Sequence, residues 1–187
     1  MSTATIARVQ DLTGTYTLDP SHSRIGFVAR HAMIAKVRGA FNEVSGTATI
    51  DGANPSASSL EVTIQAGSVD TRDANRDGHL TSPDFFDVAT YPTITFVATG
   101  FAVVDDETVE VTGDLTIKGV THAVTVPFTF GGSAVDPFGN SRIGFEGSVV
   151  VNRKDWGLTW NAALETGGVL VSEKVTLEFE LSAVKTA

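Results

Sequence analysis

The sequence predicts an all-β protein, a barrel or two-sheet sandwich of about eight antiparallel strands with one short helical insertion. Three observations lead there. Apolar and polar residues alternate with period two through most of the 187-residue chain, the pattern of strands with one buried face. The connections between the alternating runs are mostly short and rich in Gly, Pro, Asn and Asp, the residues of tight turns. One stretch, Asp70 to Pro92, breaks the alternation and concentrates charge, Gly and Pro around adjacent Phe85 and Phe86.

Residues 1–14 carry little pattern and are expected to form a flexible arm, with a single domain over 15–184. A short strand begins at Tyr16 and ends in Asp19-Pro20-Ser21. Arg24–Arg30 follows, with Ile25, Phe27 and Ala29 on one face. The run Ala32–Phe41 fits either strand or a short helical bulge. Val44, Gly46, Ala48 and Ile50 align next, then Leu60, Val62, Ile64 and Ala66. In the interruption, Asp70 or Thr71 caps a first helix to about Leu80, and Ser82-Pro83 starts a second. Ile94, Phe96 and Ala98 resume the pattern, and Val109, Val111, Gly113, Leu115 and Ile117 make the cleanest strand. His122, Val124, Val126, Phe128 and Phe130 pair with it as a hairpin. A loop containing Gly131, Gly132, Pro137 and Gly139 precedes Ile143, Phe145, Gly147, Val149 and Val151. The last strand carries Val175, Leu177, Phe179 and Leu181. Long strands joined by short turns, with little helix to cover a sheet, favour the closed barrel. Closure removes edge strands, and eight strands enclose space for side chains or one small ligand.

With 22 acidic against 13 basic residues, the formal charge is −9. Binding to phosphate backbones rests on clustered Lys and Arg, so nucleic acid and anionic membrane surfaces are poor candidates. No apolar run approaches the ~18 residues of a spanning helix, so no stable membrane insertion is expected. The N-terminus has no apolar core of signal-peptide length, and the expected location is the cytoplasm. The absence of Cys excludes disulfides.

Four constellations invite chemical readings. Asp73, Asn75, Asp77 and Gly78 match the start of a calcium loop, but its twelfth position falls on Asp84 instead of Glu, with Pro83 before it. The stretch therefore reads as a capped helix. His22, His31, His79 and His122 are the only imidazoles. They lack metalloprotease spacing, and neither metal nor cofactor is expected. Ser21-His22-Ser23 could suggest a nucleophile with its base, but neighbours on a strand face opposite ways, and no catalytic residue is assigned. Asn152-Arg153-Lys154-Asp155-Trp156-Gly157 ends a strand with two cations, an acid and an aromatic. It reads either as a polar gate that binds a headgroup or as an Arg/Asp pair closing a turn.

Three ordered blocks carry a family resemblance. The first includes Ser68-Val69, Thr71, Arg76-Asp77, His79-Leu80, Ser82, Asp84-Phe85-Phe86-Asp87 and Tyr91-Pro92. The second is Thr112–Thr121, and the third joins Gly144-Phe145 to Asn152-Arg153, Asp155 and Trp156-Gly157-Leu158. With Leu18-Asp19, His22-Ser23, Ile25, Phe27-Val28 and His31 near the start, the chain resembles the YceI-like polyisoprenoid-binding proteins from Tyr16 to about Leu181. Where that family favours Trp near the start, this chain has Tyr16. The resemblance implies an eight-stranded antiparallel lipocalin-like extended β-barrel with a short helical insertion around residues 71–88. It also implies a lumen holding an isoprenoid, quinone-like or other lipid, without catalysis.

Inward faces and matched blocks together select Phe27, Phe41, Phe96, Leu115, Ile117, Val126, Phe128, Phe145 and Trp160 as lumen residues. A headgroup or gate is assigned to His22, His31, Arg153, Asp155, Phe85 and Phe86, with Arg76, Asp77 and Asp87 in local polar contacts. The expected role is carriage or storage of the lipid. The alternatives are an enzyme acting on an isoprenoid or quinone intermediate through His31 or His79, and a structural barrel with a self-filled core. Homodimerisation through an exposed strand face accompanies the last.

Overall fold

The computed structural model describes residues 8–187, and in it three of the long strands are each divided by a kink. β1 (Gly14–Leu18) and β2 (Arg24–His31) flank a 3-10 turn at Pro20–His22, capped by the Asp19 carboxylate, which accepts from Ser21 N. β3 (Ala35–Phe41) and β4 (Val44–Ile50) are separated by Asn42 and Glu43 alone. The ambiguous run Ala32–Phe41 is therefore a turn at residues 32–34 followed by strand. β5 (Ser59–Gln65) and β6 (Val69–Asp70) flank a 3-10 turn at Ala66–Ser68. Then come α1 (Ala74–Thr81), β7 (Thr93–Val103), β8 (Thr108–Ile117), β9 (Val120–Val135), β10 (Ser141–Asn152) and β11 (Lys174–Lys185).

The segments join in the order β1-β4-β5-β7-β8-β9-β10-β11-β2-β3-β6, and β1 also pairs with β11. β1 and β2 lie end to end along one side of β11, with Leu18 opposite Ala183 and Ile25 opposite Phe179. Counted this way, the eleven segments are a closed antiparallel barrel of eight strands, each kinked pair making one. Closure satisfies the backbone groups that a sandwich would leave on its edges, so the barrel is the architecture adopted.

The interruption contains one helix instead of two. Asp73, not Asp70 or Thr71, is the N-cap, accepting from Asn75 N and Arg76 N. Ser82 ends the helix. Its carbonyl accepts from Phe85 N and Asp87 N, so the expected second helix is a pair of turns. Residues 1–7 of the expected arm lie outside the described residues. From Arg8 the segment is packed, because Val9 and Leu12 are buried and Tyr16 Oη donates to Leu12 O at 3.0 Å. Burial pushes the Tyr16 phenol up from its ordinary range. β9 runs through Gly131 and Gly132 to Val135, so the expected loop shrinks to Asp136–Asn140. The Asp136 carboxylate closes it by accepting from Phe138 N and Asn140 N. Arg142 then donates to Asp136 at 2.8 Å and to Asp19 at 2.6 Å, tying this turn to the β1–β2 kink.

Candidate functional site: a two-chambered apolar lumen

Inward positions of the alternating strands meet inside the barrel without filling it, contrary to the self-filled alternative. A chamber of about 170 Å³ lies at the α1 end, and another of about 120 Å³ lies toward the N-terminal segment. Leu60, Val62, Phe128 and Leu181 line both, so a waist of side chains joins them. Val9 and Gln10 of the N-terminal segment line the smaller chamber.

Phe27, Phe41, Phe96, Leu115, Ile117 and Val126 line the larger chamber, Phe145 the smaller, and Phe128 both. Trp160 lines neither, which corrects its assignment. It stands on a loop after β10, and its ring packs on His79 at 4.5 Å and on Phe85 at 5.6 Å, behind the cover. Leu80, Leu158 and Val171 also line the larger chamber. They lie outside the strands, where alternation gives no signal. The waist residues carried that signal, since Leu60 and Val62 share the inward face of β5.

Some rings lie along the wall instead of crossing the lumen. Phe27 is paired directly with Gly39 across β2 and β3, and a Cβ on Gly39 would collide with its ring. Phe96 covers Gly113, the diagonal neighbour on β8, in the same way. Each glycine lets a large ring lean against backbone and leaves the centre open.

The cover is built from local contacts. Asp77 accepts from Thr71 N, and Arg76 donates to Thr71 Oγ1 and Thr71 O, both at 2.8 Å, so buried Thr71 is satisfied. Asp87 makes its local polar contact through its carbonyl, which accepts from Tyr91 N. Leu80, Phe85 and Phe86 then reach the lumen, Phe85 being 5% exposed. With Asp73 capping and Asp77 bonded to Thr71, the calcium-like residues serve the helix. Among the described residues no three His, Asp or Glu converge.

Among the described residues, Arg153 is the one ionisable side chain lining the larger chamber. It begins a 3-10 turn, Arg153–Trp156, capped by the Asn152 side chain and ended by Gly157 at φ 79°. Trp156 anchors the turn by donating to Leu115 O at 2.9 Å. Arg153 is 7% exposed and donates to Ser172 O at 2.8 Å, to Val171 O at 3.3 Å and to Leu158 O. These carbonyls replace the expected Asp155 partner, and the Asp155 side chain is exposed. Burial pushes the guanidinium down from the usual arginine range, opposed by Glu173. It remains a cation, since arginine starts above 12. Five N–H donors serve three carbonyls, leaving capacity for an oxygen within the chamber.

Phe85 and Phe86 share the chamber with Arg153, whereas His22 and His31 do not join it. His31 is exposed at the end of β2. His22 is exposed on the β1–β2 turn, where Nδ1 meets both Asp19 at 2.7 Å and Ser21 Oγ at 3.0 Å. Ser21 and His22 thus share a turn instead of opposing strand faces. Both partners use one ring nitrogen, however, so there is no relay of Ser through His to Asp.

A closed antiparallel barrel around a largely apolar lumen, with Arg153 lining one chamber and Asp51 the other, defines a lipocalin-like barrel. A family model for the YceI-like domain matches residues 16–183, and the chain belongs to that family. A UPF0312 protein of Pseudomonas savastanoi is 36% identical over 160 residues, covering 84% of this chain and 83% of its own. A UPF0312 protein of Pseudomonas putida is 33% identical, covering 99% and 94%. Among solved structures, Burkholderia cenocepacia BcnA superposes with a TM-score of 0.77 at 28% identity, covering 88% of this chain and 98% of its own. A polyisoprenoid binding domain from Saccharophagus degradans shares the fold, with a TM-score of 0.70 at 22% identity over 91% and 98% of the two chains.

Proposed function

We propose that the barrel holds a long-chain isoprenoid, quinone-like or other amphiphilic lipid, as a carrier or store without catalysis. The observation that carries this reading is an apolar lumen whose larger chamber has, among the described residues, Arg153 as its one ionisable group. The chain of the lipid runs from the larger chamber through the waist, and an oxygen of its headgroup accepts from Arg153. Each chamber is close to the ~150 Å³ of an apolar cavity that takes up benzene. Each methylene removed from water contributes about 0.8 kcal/mol, so several isoprene units would bind without a further polar contact. A chain occupying both chambers requires Leu60, Val62, Phe128 and Leu181 to part. Membership of the YceI-like family and the fold shared with a polyisoprenoid binding domain support this reading.

Organic extraction of the purified protein followed by mass spectrometry tests this, with a lipid near one per protein expected. An empty extract, together with no uptake of added ubiquinone, refutes it. One contact favours a second reading, an enzyme acting on such a lipid: His79 Nε2 lies 2.9 Å from Asp84 Oδ2. Neither residue lines a chamber. Turnover of a lipid substrate with a bell-shaped pH profile, lost in His79→Gln, would be required to prefer it.

A further inference from the structure

The β2–β3 hairpin projects from the end of the barrel that holds the larger chamber. Ala29 still lines that chamber, and the strand then continues to a tip at Ala32–Ile34. Met33 and Ile34 are 62% and 81% exposed. Ala32 and Met33 hold φ values of 50° and 63°, a left-handed pair that side chains rarely adopt. Ala32 N donates to Leu170 O at 2.7 Å, and His31 bridges Val171. The apolar pair is therefore held on a formed turn, Ile34 standing out and the Met33 sulfur resting over Gly168 with most of its side chain still exposed.

Behind the tip, the outer face of the hairpin is cationic. Since Ile25, Phe27 and Ala29 face inward, Val28 and Arg30 face outward, opposite Arg38 and Lys36 respectively. Arg30 and Lys36 are like charges placed directly across two strands, an arrangement that costs stability. Among the described residues the ion pairs include none made by Arg30, Lys36 or Arg38. The loops around the opposite end of the barrel carry Asp11, Asp51, Asp105, Asp106 and Glu107. A net charge of −9 thus averages over an acidic end and a hairpin that is locally basic.

We propose that this hairpin docks the protein on an anionic lipid surface, with Met33 and Ile34 entering the interface and Arg30, Lys36 and Arg38 meeting the headgroups. The pairing of chemistries selects the partner. Cations alone would suit any polyanion, but an exposed Met-Ile tip ahead of them gains only where there is an apolar phase to enter. Resting on the proposed function, the same contact brings the larger chamber and Arg153 to the membrane, where lipid is exchanged.

Co-sedimentation of the full chain with phosphatidylcholine vesicles, with and without phosphatidylglycerol, tests the docking. Binding is expected with phosphatidylglycerol, weakening as salt is raised. Each cation near an anionic surface contributes about five-fold, so the double variant K36Q/R38Q should bind about thirty-fold more weakly. It should melt no lower than the parent, because it relieves like-charge contacts. M33S/I34S should lose at least about ten-fold. Equal binding to both vesicle types, or unchanged binding by both variants, overturns the proposal. So does sedimentation velocity showing that M33S/I34S abolishes a dimer while vesicle binding persists. Lipid extraction of the same samples reads the lumen separately, so an empty lumen refutes the carrier reading and leaves the docking result standing.

Discussion

Arg153→Met removes the guanidinium while keeping an unbranched side chain along the same path. The Leu158 and Ser172 carbonyls lose their donor, while Val171 O keeps the bond from Asn161 Nδ2 at 2.8 Å. A buried polar group left without a partner costs about 1–3 kcal/mol, and the site itself is closed, Arg153 being 7% exposed. The bonds to Val171 and Ser172 are only part-buried, so water recovers some of their cost. Removing a cation from an apolar site also returns part of its desolvation penalty. The net loss is expected near 3 kcal/mol. For a chain of this length that lowers the melting temperature by about 6–12 °C. Urea titration followed by tryptophan fluorescence reads the change, since Trp156 and Trp160, the only tryptophans, flank the affected turn. Arg153→Lys keeps the charge without the planar fork and should fall between the two. A loss below about 1 kcal/mol in Arg153→Met would refute the reasoning that these bonds tie the 158–172 segment to the end of β10.

Further perturbations separate the cover, the wall and the outer network. Phe85→Ala should cost about 3–5 kcal/mol, as for a core Phe, and also weaken lipid capture because Phe85 lines the larger chamber; stability loss with unchanged capture would make it a plug only. Gly113→Ala should turn the Phe96 ring off the wall and lower capture of added ubiquinone, with a stability loss of about 1–3 kcal/mol; undiminished capture would show that the ring's position does not set the space. The carboxyls of Asp19 and Asp136 are held well below the usual carboxylate range, chiefly by the Arg142 guanidinium they share. Their folded-state pKa values being lowered, this stabilisation is complete above the unfolded value near pH 4 and is lost as pH falls below it. Arg142→Met should therefore lower stability at neutral pH and flatten the acid limb of a stability–pH curve, and an equally steep limb would exclude the network as its source.

Strand alternation made most of the barrel legible, and inward faces such as Val109–Ile117 and Val175–Leu181 hold in the structure. Three features were not carried by that signal. The kinks at Pro20–His22 and Ala66–Ser68 leave pairing intact on both sides, so they interrupt the pattern without ending a strand. Ser82-Pro83 has the residue types of a helix start, yet Phe85 and Phe86 gain more by reaching the lumen, and the chain turns there instead. For the candidate site, Arg153 was recognisable from its position at a strand end beside Trp156. Its partners were not, because Leu158, Val171 and Ser172 act through carbonyls, which carry no sequence identity. His22 and His31 were drawn in by residue type, and both lie outside the chambers.

Whether a barrel has a solid or a hollow centre depends on a property that periodicity does not contain. Alternation says that Phe27 and Phe96 face inward, and inward rings of that size would ordinarily be counted as filling. Which way each ring lies is decided by its neighbour across the strands, and that neighbour is fixed only by register. Phe27 meets Gly39, and Phe96 meets Gly113. At both places the missing side chain accepts the ring flat on the wall. In the sequence these glycines look like gaps in the apolar faces of β3 and β8. In the folded barrel they permit large aromatic residues to build an apolar surface without occupying the volume it encloses. The cost is lost side-chain packing at two strand positions, and the return is a lumen that can be both greasy and empty, the combination a lipid chain requires.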